Sequence, residues 1–360
     1  MRRAAWLTGV VGVLAAAGTA VLPAQVSVAP GGRLITSRAV VVNEVAGKVY
    51  AVDEPRGALV VVDVRSGVRK SVKVGAGPVA VTVNRRTGRV YVANAGDASV
   101  SIVDGATDTV TATLKRDANP YVLAVDERSN KVYVTYTYSR NVTVIDGAEN
   151  TVTDLKAGSA DGIAIDPETG TVYLHGYEDP EIRILDPSTA AVVRVPVGPH
   201  IWGMAFDVAS HALYVAHTLN AEVVAMDAAT HRTRAFPAGE IPCAVAVDGA
   251  RGRLYAVNYG SQTLSAIDLA TGRTLATLPV GAHPQALALD AARNRVYVAN
   301  LHGNSVTVVD GATLRVAGTL AAGVNPYALA VDPATGRVFA AEFGAEAVTA
   351  IYPETVQKAQ

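Results

Sequence analysis

The side chains best suited to chemistry are few: seven histidines, two tryptophans and one cysteine in 360 residues. His175, Tyr177, Glu178, His200, Trp202 and His217 fall close together. An aromatic floor beside imidazoles can hold a sugar, a peptide or a small apolar ligand. Histidines 200, 217, 283 and 302 are chemically able to ligate zinc or copper. They form no His-x-His or His-x₃-His pair, however, and elements far apart in the fold would keep them apart, so no metal site is assigned. Cys243 is the only cysteine, which excludes an internal disulfide. There is no Gly-x-Ser-x-Gly elbow and no Walker-type phosphate loop.

The elements that would position these residues are written in a repeat. Aromatic residues inside β-branched runs recur at Tyr50, Tyr91, Tyr133, Tyr173, Tyr214, Tyr255, Tyr297 and Phe339, spaced 40 to 42 residues apart. Thirteen residues after each comes an aspartate: 63, 104, 146, 186, 227, 268 and 310, with Tyr352 in the eighth slot. A period near forty with strand content predicts an all-β protein, a single β-propeller of four-stranded antiparallel blades. In residues 284–323 the strands read PQALALD, RVYVAN, SVTVVD and a fourth ending near Leu320. Aspartates in strings such as DPETG and DLATG accept backbone N–H bonds and fix turns. The repeated tyrosines are predicted to pack between blades with their hydroxyls satisfied.

Those strings carry a resemblance. VYVAN at 90–94 and 296–300, VYVTY at 132–136, LYAVN at 254–258 and PVGAHPQALALD at 279–290 resemble the YVTN-type β-propeller repeat. The chain is similar to exported members of that family, YncE-like and surface-layer-like, over residues 38–352. The resemblance implies a rigid exported scaffold and is poor in functional detail, since one scaffold hosts unrelated activities.

First, second and third strands can each be counted eight times and the fourth seven times. Eight blades are favoured; seven would leave about forty residues over. The missing outer strand is expected from residues 25–29 (QVSVA), or else from 356–358, pairing the two ends of the chain within one blade. Arg2 and Arg3, the apolar run 4–21 and the small residues after it have the layout of a secretory signal peptide over 1–24, cut after Ala24 or Ala20. An uncleaved anchor is the alternative. Removing 1–24 takes two arginines and no acid, leaving 29 basic and 32 acidic residues. The domain 25–360 is therefore expected to be exported, monomeric and a poor nucleic-acid binder.

In such a blade the second-to-third loops and the crossovers share one face, and there the repeat is broken. The crossover position reads Gly77, Asn119, Ala160, His200, Ile241, His283 and Asn325. Two residues on stand Val79, Tyr121, Gly162, Trp202, Cys243, Gln285 and Tyr327. Three residues after the repeat aromatics stand Asp53, Asn94, Tyr136, Gly176, His217, Asn258, Asn300 and Glu342. All three sets are expected around the channel mouth. The ligand-binding candidates are His200, Trp202, His217, His283, Tyr136, Asp53, Asn94, Asn258, Asn300 and Glu342, with no catalytic residue assigned. The preferred function is non-catalytic binding of a small ligand or an extracytoplasmic protein partner, without a cofactor. The alternative is a lactonase-like hydrolase or a lyase with a divalent cation at the channel mouth. For it, Asp53, Glu342, Asn94, Asn258 and Asn300, or His217 or His283 with Glu342, supply suitable chemistry; the same asparagines also fit a purely structural place in the repeat.

Overall fold

The computed structural model describes residues 28–29, 33–34, 38–136, 138–344 and 346–358. It is a ring of eight antiparallel blades, a β-propeller. The innermost strands are Val40–Asn43, Pro78–Asn84, Val122–Asp126, Gly162–Ile165, Ile201–Asp207, Pro242–Asp248, Pro284–Asp290 and Ala328–Val331. Each lies beside the next, and Ala328–Val331 returns to Val40–Asn43. Seven blades have four strands. Their outer strands alternate exposed and part-buried residues, as in Thr109–Lys115, whereas the second and third strands are buried almost throughout.

The repeat builds the joints between blades. Tyr50, Tyr91, Tyr133, Tyr173, Tyr255 and Tyr297 are fully buried. The Tyr50 hydroxyl of blade 1 lies 3.5 Å from the Gly105 carbonyl of blade 2. A Cβ at Gly105 would come within 2.8 Å of that hydroxyl, so glycine is favoured at this position. The hydroxyls of Tyr133 and Tyr255 have no hydrogen-bond partner among the described residues, contrary to the sequence expectation. The rings supply apolar area, and burial raises the phenol pKa. The aspartates are turn fixers: Asp104 accepts from the backbone N–H groups of Ala106 and Thr107 at 2.8 and 2.9 Å, and Asp310 does the same for Ala312 and Thr313. These bonds hold the carboxyls below their ordinary pKa.

In blades 1, 2 and 8 a cation at or just before the start of the second strand reaches the next blade. Lys48 donates to the Gly105 carbonyl at 2.7 Å, Arg89 to Gly147, and Arg337 of blade 8 to Val64 of blade 1. The seam between blades 8 and 1 thus uses the same joint as the seams between blades 1 and 2 and blades 2 and 3. Its apolar core combines Val40, Val42, Tyr50 and Val61 with Tyr327, Ala328, Phe339 and Val348.

Blade 8 has three strands among the described residues. Residues 25–27 lie outside them, and Val28–Ala29 pairs with Arg33–Leu34 as a two-stranded ribbon. The segment 353–358 is a 3-10 helix, Pro353–Lys358, and not the strand anticipated for 356–358. The helix packs on the outer strand of blade 7, where Val356 fills the notch at Gly318, and Arg295 reaches the Pro353 carbonyl at 3.5 Å. No helix among the described residues is long and apolar enough to cross a membrane, and the expected leader 1–24 lies outside them.

Candidate functional site

Sequence periodicity gathers the site residues into three layers, and the structure separates the layers. The positions three residues after the repeat aromatics form knots inside each blade. Asn300 donates to the Ser305 and Thr307 hydroxyls at 3.1 and 2.9 Å and accepts from the Gly281 N–H at 3.0 Å. Asn258 repeats this with Thr263, Ser265 and Gly239, and Asn94 bonds Ser99 and Ser101. The Tyr136 hydroxyl lies 2.8 Å from that of Thr143 and accepts from Arg116. Asp53 holds Arg56 at 2.8 Å, and Glu342 accepts from the Val324 N–H at 2.6 Å. Asp53 and Glu342 share a small cleft at the blade 8–blade 1 seam, where burial raises the Glu342 pKa. None of these residues lines the axial cavity; Asn258, Asn300 and Glu342 tie the second-to-third loop to the crossover instead.

His217 is buried at 1 % exposure, with Nδ1 3.6 Å from Glu222 Oε1. Burial lowers its pKa first; Glu222 opposes the shift and His200 reinforces it. His200 packs edge-on against Tyr177, ring centres 5.4 Å apart. Trp202 faces the axis instead and meets Tyr259 at 6.0 Å. The anticipated trio therefore does not converge on one pocket.

A cavity of about 380 Å³ lies on the propeller axis at the crossover end. Strand pairing explains its lining. Each inner strand ends at, or one residue before, a turn residue: Asn43, Asn84, Asp126, Asp166, Asp207, Asp248, Asp290 or Asp332. Five residues before it stand Arg38, Val79, Tyr121, Asp161, Trp202, Cys243, Gln285 and Tyr327, one per blade. All but Val79 line the cavity. Counting forward from the crossover puts Gly162 in this ring and gives blade 1 no member. The pairings Gly162 with His175 and Ala80 with Ala93 show that Asp161 is the equivalent of Val79. Blade 4 lacks the bulge that displaces the crossover by one residue in blades 2, 5, 6 and 7.

The ring thus holds one cation and one carboxylate, neither singled out by the repeat. Arg38 of blade 1 reaches across the axis, and its Nη2 donates to the Ile163 carbonyl of blade 4 at 3.1 Å. Asp161 accepts from the Tyr177 N–H at 2.9 Å. Burial, then the Asp161 charge, raises the Tyr121 pKa, so its phenol stays protonated. Burial also pushes the Cys243 thiol up to about 12, which makes it an inert wall residue rather than a nucleophile.

His175 completes the wall. It occupies the slot filled by Val52, Ala93, Thr135, Ala216, Val257, Ala299 and Ala341 in the other blades. Its imidazole leans across Gly162, where a Cβ would come within 2.1 Å of Nε2, and so reaches the cavity. His175 is 2 % exposed and its Nδ1 makes no hydrogen bond of standard geometry, although the Gly176 backbone is near enough to act on it. Burial lowers its pKa to about 4, opposed by Gly176 and assisted by Arg183. Behind it Arg183, also buried, donates to the Ala157 carbonyl at 2.7 Å and meets Asp179 at 3.1 Å.

The outer histidines of blade 7 correct the expectation that the histidines lie apart. His283 Nδ1 and His302 Nδ1 are 2.9 Å apart, and His283 contacts the Tyr259 ring at 5.2 Å. No group of three His, Cys, Asp or Glu side chains able to hold a metal ion occurs among the described residues.

No family model matches the chain, and no curated protein matches it in sequence. Solved structures share its fold. The dihydro-heme d1 dehydrogenase NirN in complex with DHE superposes with a TM-score of 0.68 at 16% identity, over 82% of this chain and 69% of that one. The Kuenenia stuttgartiensis hydrazine synthase superposes with a TM-score of 0.61 at 16% identity, over 90% of this chain and 98% of that one. At such identity these likenesses define the class, a β-propeller, and leave the activity open.

Proposed function

We propose that this chain is an exported, non-catalytic propeller of the YVTN-type repeat family that binds a small molecule in its axial cavity. The observation that carries the reading is His175, a buried imidazole drawn out of its repeat slot across Gly162 into a cavity walled by all eight blades. Of its two ring nitrogens, Nε2 lies over Gly162 and is the one a ligand in the cavity would meet. The cavity lies within the range of about 300–1,000 Å³ usual for small-molecule sites. Trp202, Met204, Leu287, Tyr327 and Leu329 give an apolar wall, and Arg38, Tyr121, Asp161 and Gln285 give a few polar groups. The ligand that suits this lining is a compact aromatic molecule with a polar or anionic group. A structural neighbour, NirN, is itself seen in complex with DHE, which agrees with a ligand-bearing role for this class.

The test uses 8-anilino-1-naphthalenesulfonate, an aromatic anion of suitable size. One saturable site is expected, with energy transfer from Trp202 that disappears in Trp202→Phe. Ala244→Phe, which fills the cavity from blade 6, should weaken binding at least tenfold without lowering the Tm by more than a few degrees. Absence of saturable binding, or binding untouched by Ala244→Phe, would overturn the reading.

A further inference from the structure

We propose that His283 and His302 form a two-nitrogen Cu2+ site on the rim of blade 7, outside the axial cavity. The two positions are neighbours by construction of the blade. The crossover slot and the residue five after the repeat aromatic approach each other wherever the repeat is regular. In blade 2 they are Gly77 and Gly96, and a Cβ on Gly77 would come within 2.9 Å of the Gly96 nitrogen. In blade 6 they are Ile241 and Gly260, and a Cβ on Gly260 would come within 2.9 Å of Ile241 Cγ1. In blade 7 both slots carry histidine, and the Leu301 N–H bond to the His283 carbonyl at 3.0 Å fixes their separation.

His283 sits in the left-handed backbone region, φ 51°. The rings stand 4.2 Å apart at 59°, with the two Nδ1 atoms 2.9 Å apart. Two nitrogens bound at about 2.0 Å and at right angles to each other lie about 2.9 Å apart, the cis edge of a tetragonal copper site. A tetrahedral zinc ion would set them at about 3.3 Å. Without metal the same contact is an N–H···N hydrogen bond. When Cu2+ binds, the shared proton moves through solvent to Nε2 of the donating ring, both imidazoles stay neutral, and water fills the remaining equatorial positions. His302 is exposed, which leaves the metal an entry path. Below the pair, Tyr259 stands between His283 and Trp202, at ring distances of 5.2 and 6.0 Å. Bound Cu2+ should therefore quench Trp202.

The experiment is a Cu2+ titration of the purified protein followed by Trp202 emission and electron paramagnetic resonance, with Trp202→Phe as the optical control. One equivalent with an axial spectrum and coupling to two nitrogens is expected. His302→Ala should lower affinity at least tenfold while the melting curve stays within a few degrees. So should His283→Asn, which brings in the residue that blade 8 carries in this slot, Asn325. Affinity unchanged in both variants would overturn the site. Coupling to three or more nitrogens, or tighter binding of Zn2+ than of Cu2+, would overturn its geometry.

Discussion

At the scale of single residues, many side chains that stand out in the sequence are committed to structure, while Arg38 and Asp161, the charged pair facing the axis, are quiet in sequence. His175 shows the physical consequence. Its pKa of about 4 in the fold lies below the ordinary histidine value of about 6.5, because burial penalises the imidazolium. Between these values the unfolded chain binds a proton that the folded chain does not, so stability rises with pH there. The contribution is complete above about pH 6.5 and is lost as pH falls toward 4, on the order of 3 kcal/mol. His175→Ala, which restores the residue of blades 2, 5, 7 and 8, should flatten urea-unfolding stability over that window. An unchanged slope would show that the ring is solvated. Arg38 offers a second residue-scale test. Its guanidinium is held across the axis by the Ile163 carbonyl, so Arg38→Met should weaken 8-anilino-1-naphthalenesulfonate binding about tenfold, with the loss read from the titration midpoint.

At the scale of the element, the knots and crossovers set stability. Asn300→Ala removes two side-chain donors and strands the Gly281 N–H, so a loss of about 1–3 kcal/mol is expected in chemical denaturation, with axial ligand binding unchanged. Loss of binding with unchanged stability would return Asn300 to the site. The crossover carries strain as well. Ile241 is β-branched yet sits at φ 52°, where Gly77 and Asn325 occupy the same slot in other blades. That conformation costs an ordinary residue about 1–2 kcal/mol, and asparagine tolerates it better. Ile241→Asn should therefore raise stability by about 1 kcal/mol. A decrease would mean that packing of Cγ1 on Gly260 outweighs the strain.

At the scale of the whole molecule, the described residues show how the ring is held shut between its first and last blades. The seam between blades 8 and 1 closes through a shared apolar core, through Arg337 to Val64, and through Arg69 to Glu346 at 2.7 Å. The chain's last helix then folds back onto blade 7. Val356→Ser should destabilise the ring by about 2 kcal/mol through loss of the contact at Gly318. Gly318→Ala should act in the same direction, since its Cβ would sit 2.7 Å from Val356 Cγ1. A Tm unaffected by either would make the helix an ornament of blade 7.

The sequence by itself determined the all-β class, the eight repeats, the strand bounds within a residue or two, and the structural role of the aspartates. Each is a local matter of alternation, turn chemistry and a regular period. Tyr121, Trp202, Cys243, Gln285 and Tyr327 were legible as axial for the same reason. Tertiary structure alone decided that Arg38 and Asp161 join them, because a missing bulge in blade 4 shifts the count by one and blade 1 has no crossover to count from. It also decided that the asparagines of the VYVAN strings are knots, that His175 enters the cavity over a glycine, and that His283 and His302 touch. These depend on which atoms meet between a loop, a crossover and a strand of one blade, or on opposite sides of a ring, and no spacing along the chain records that distance.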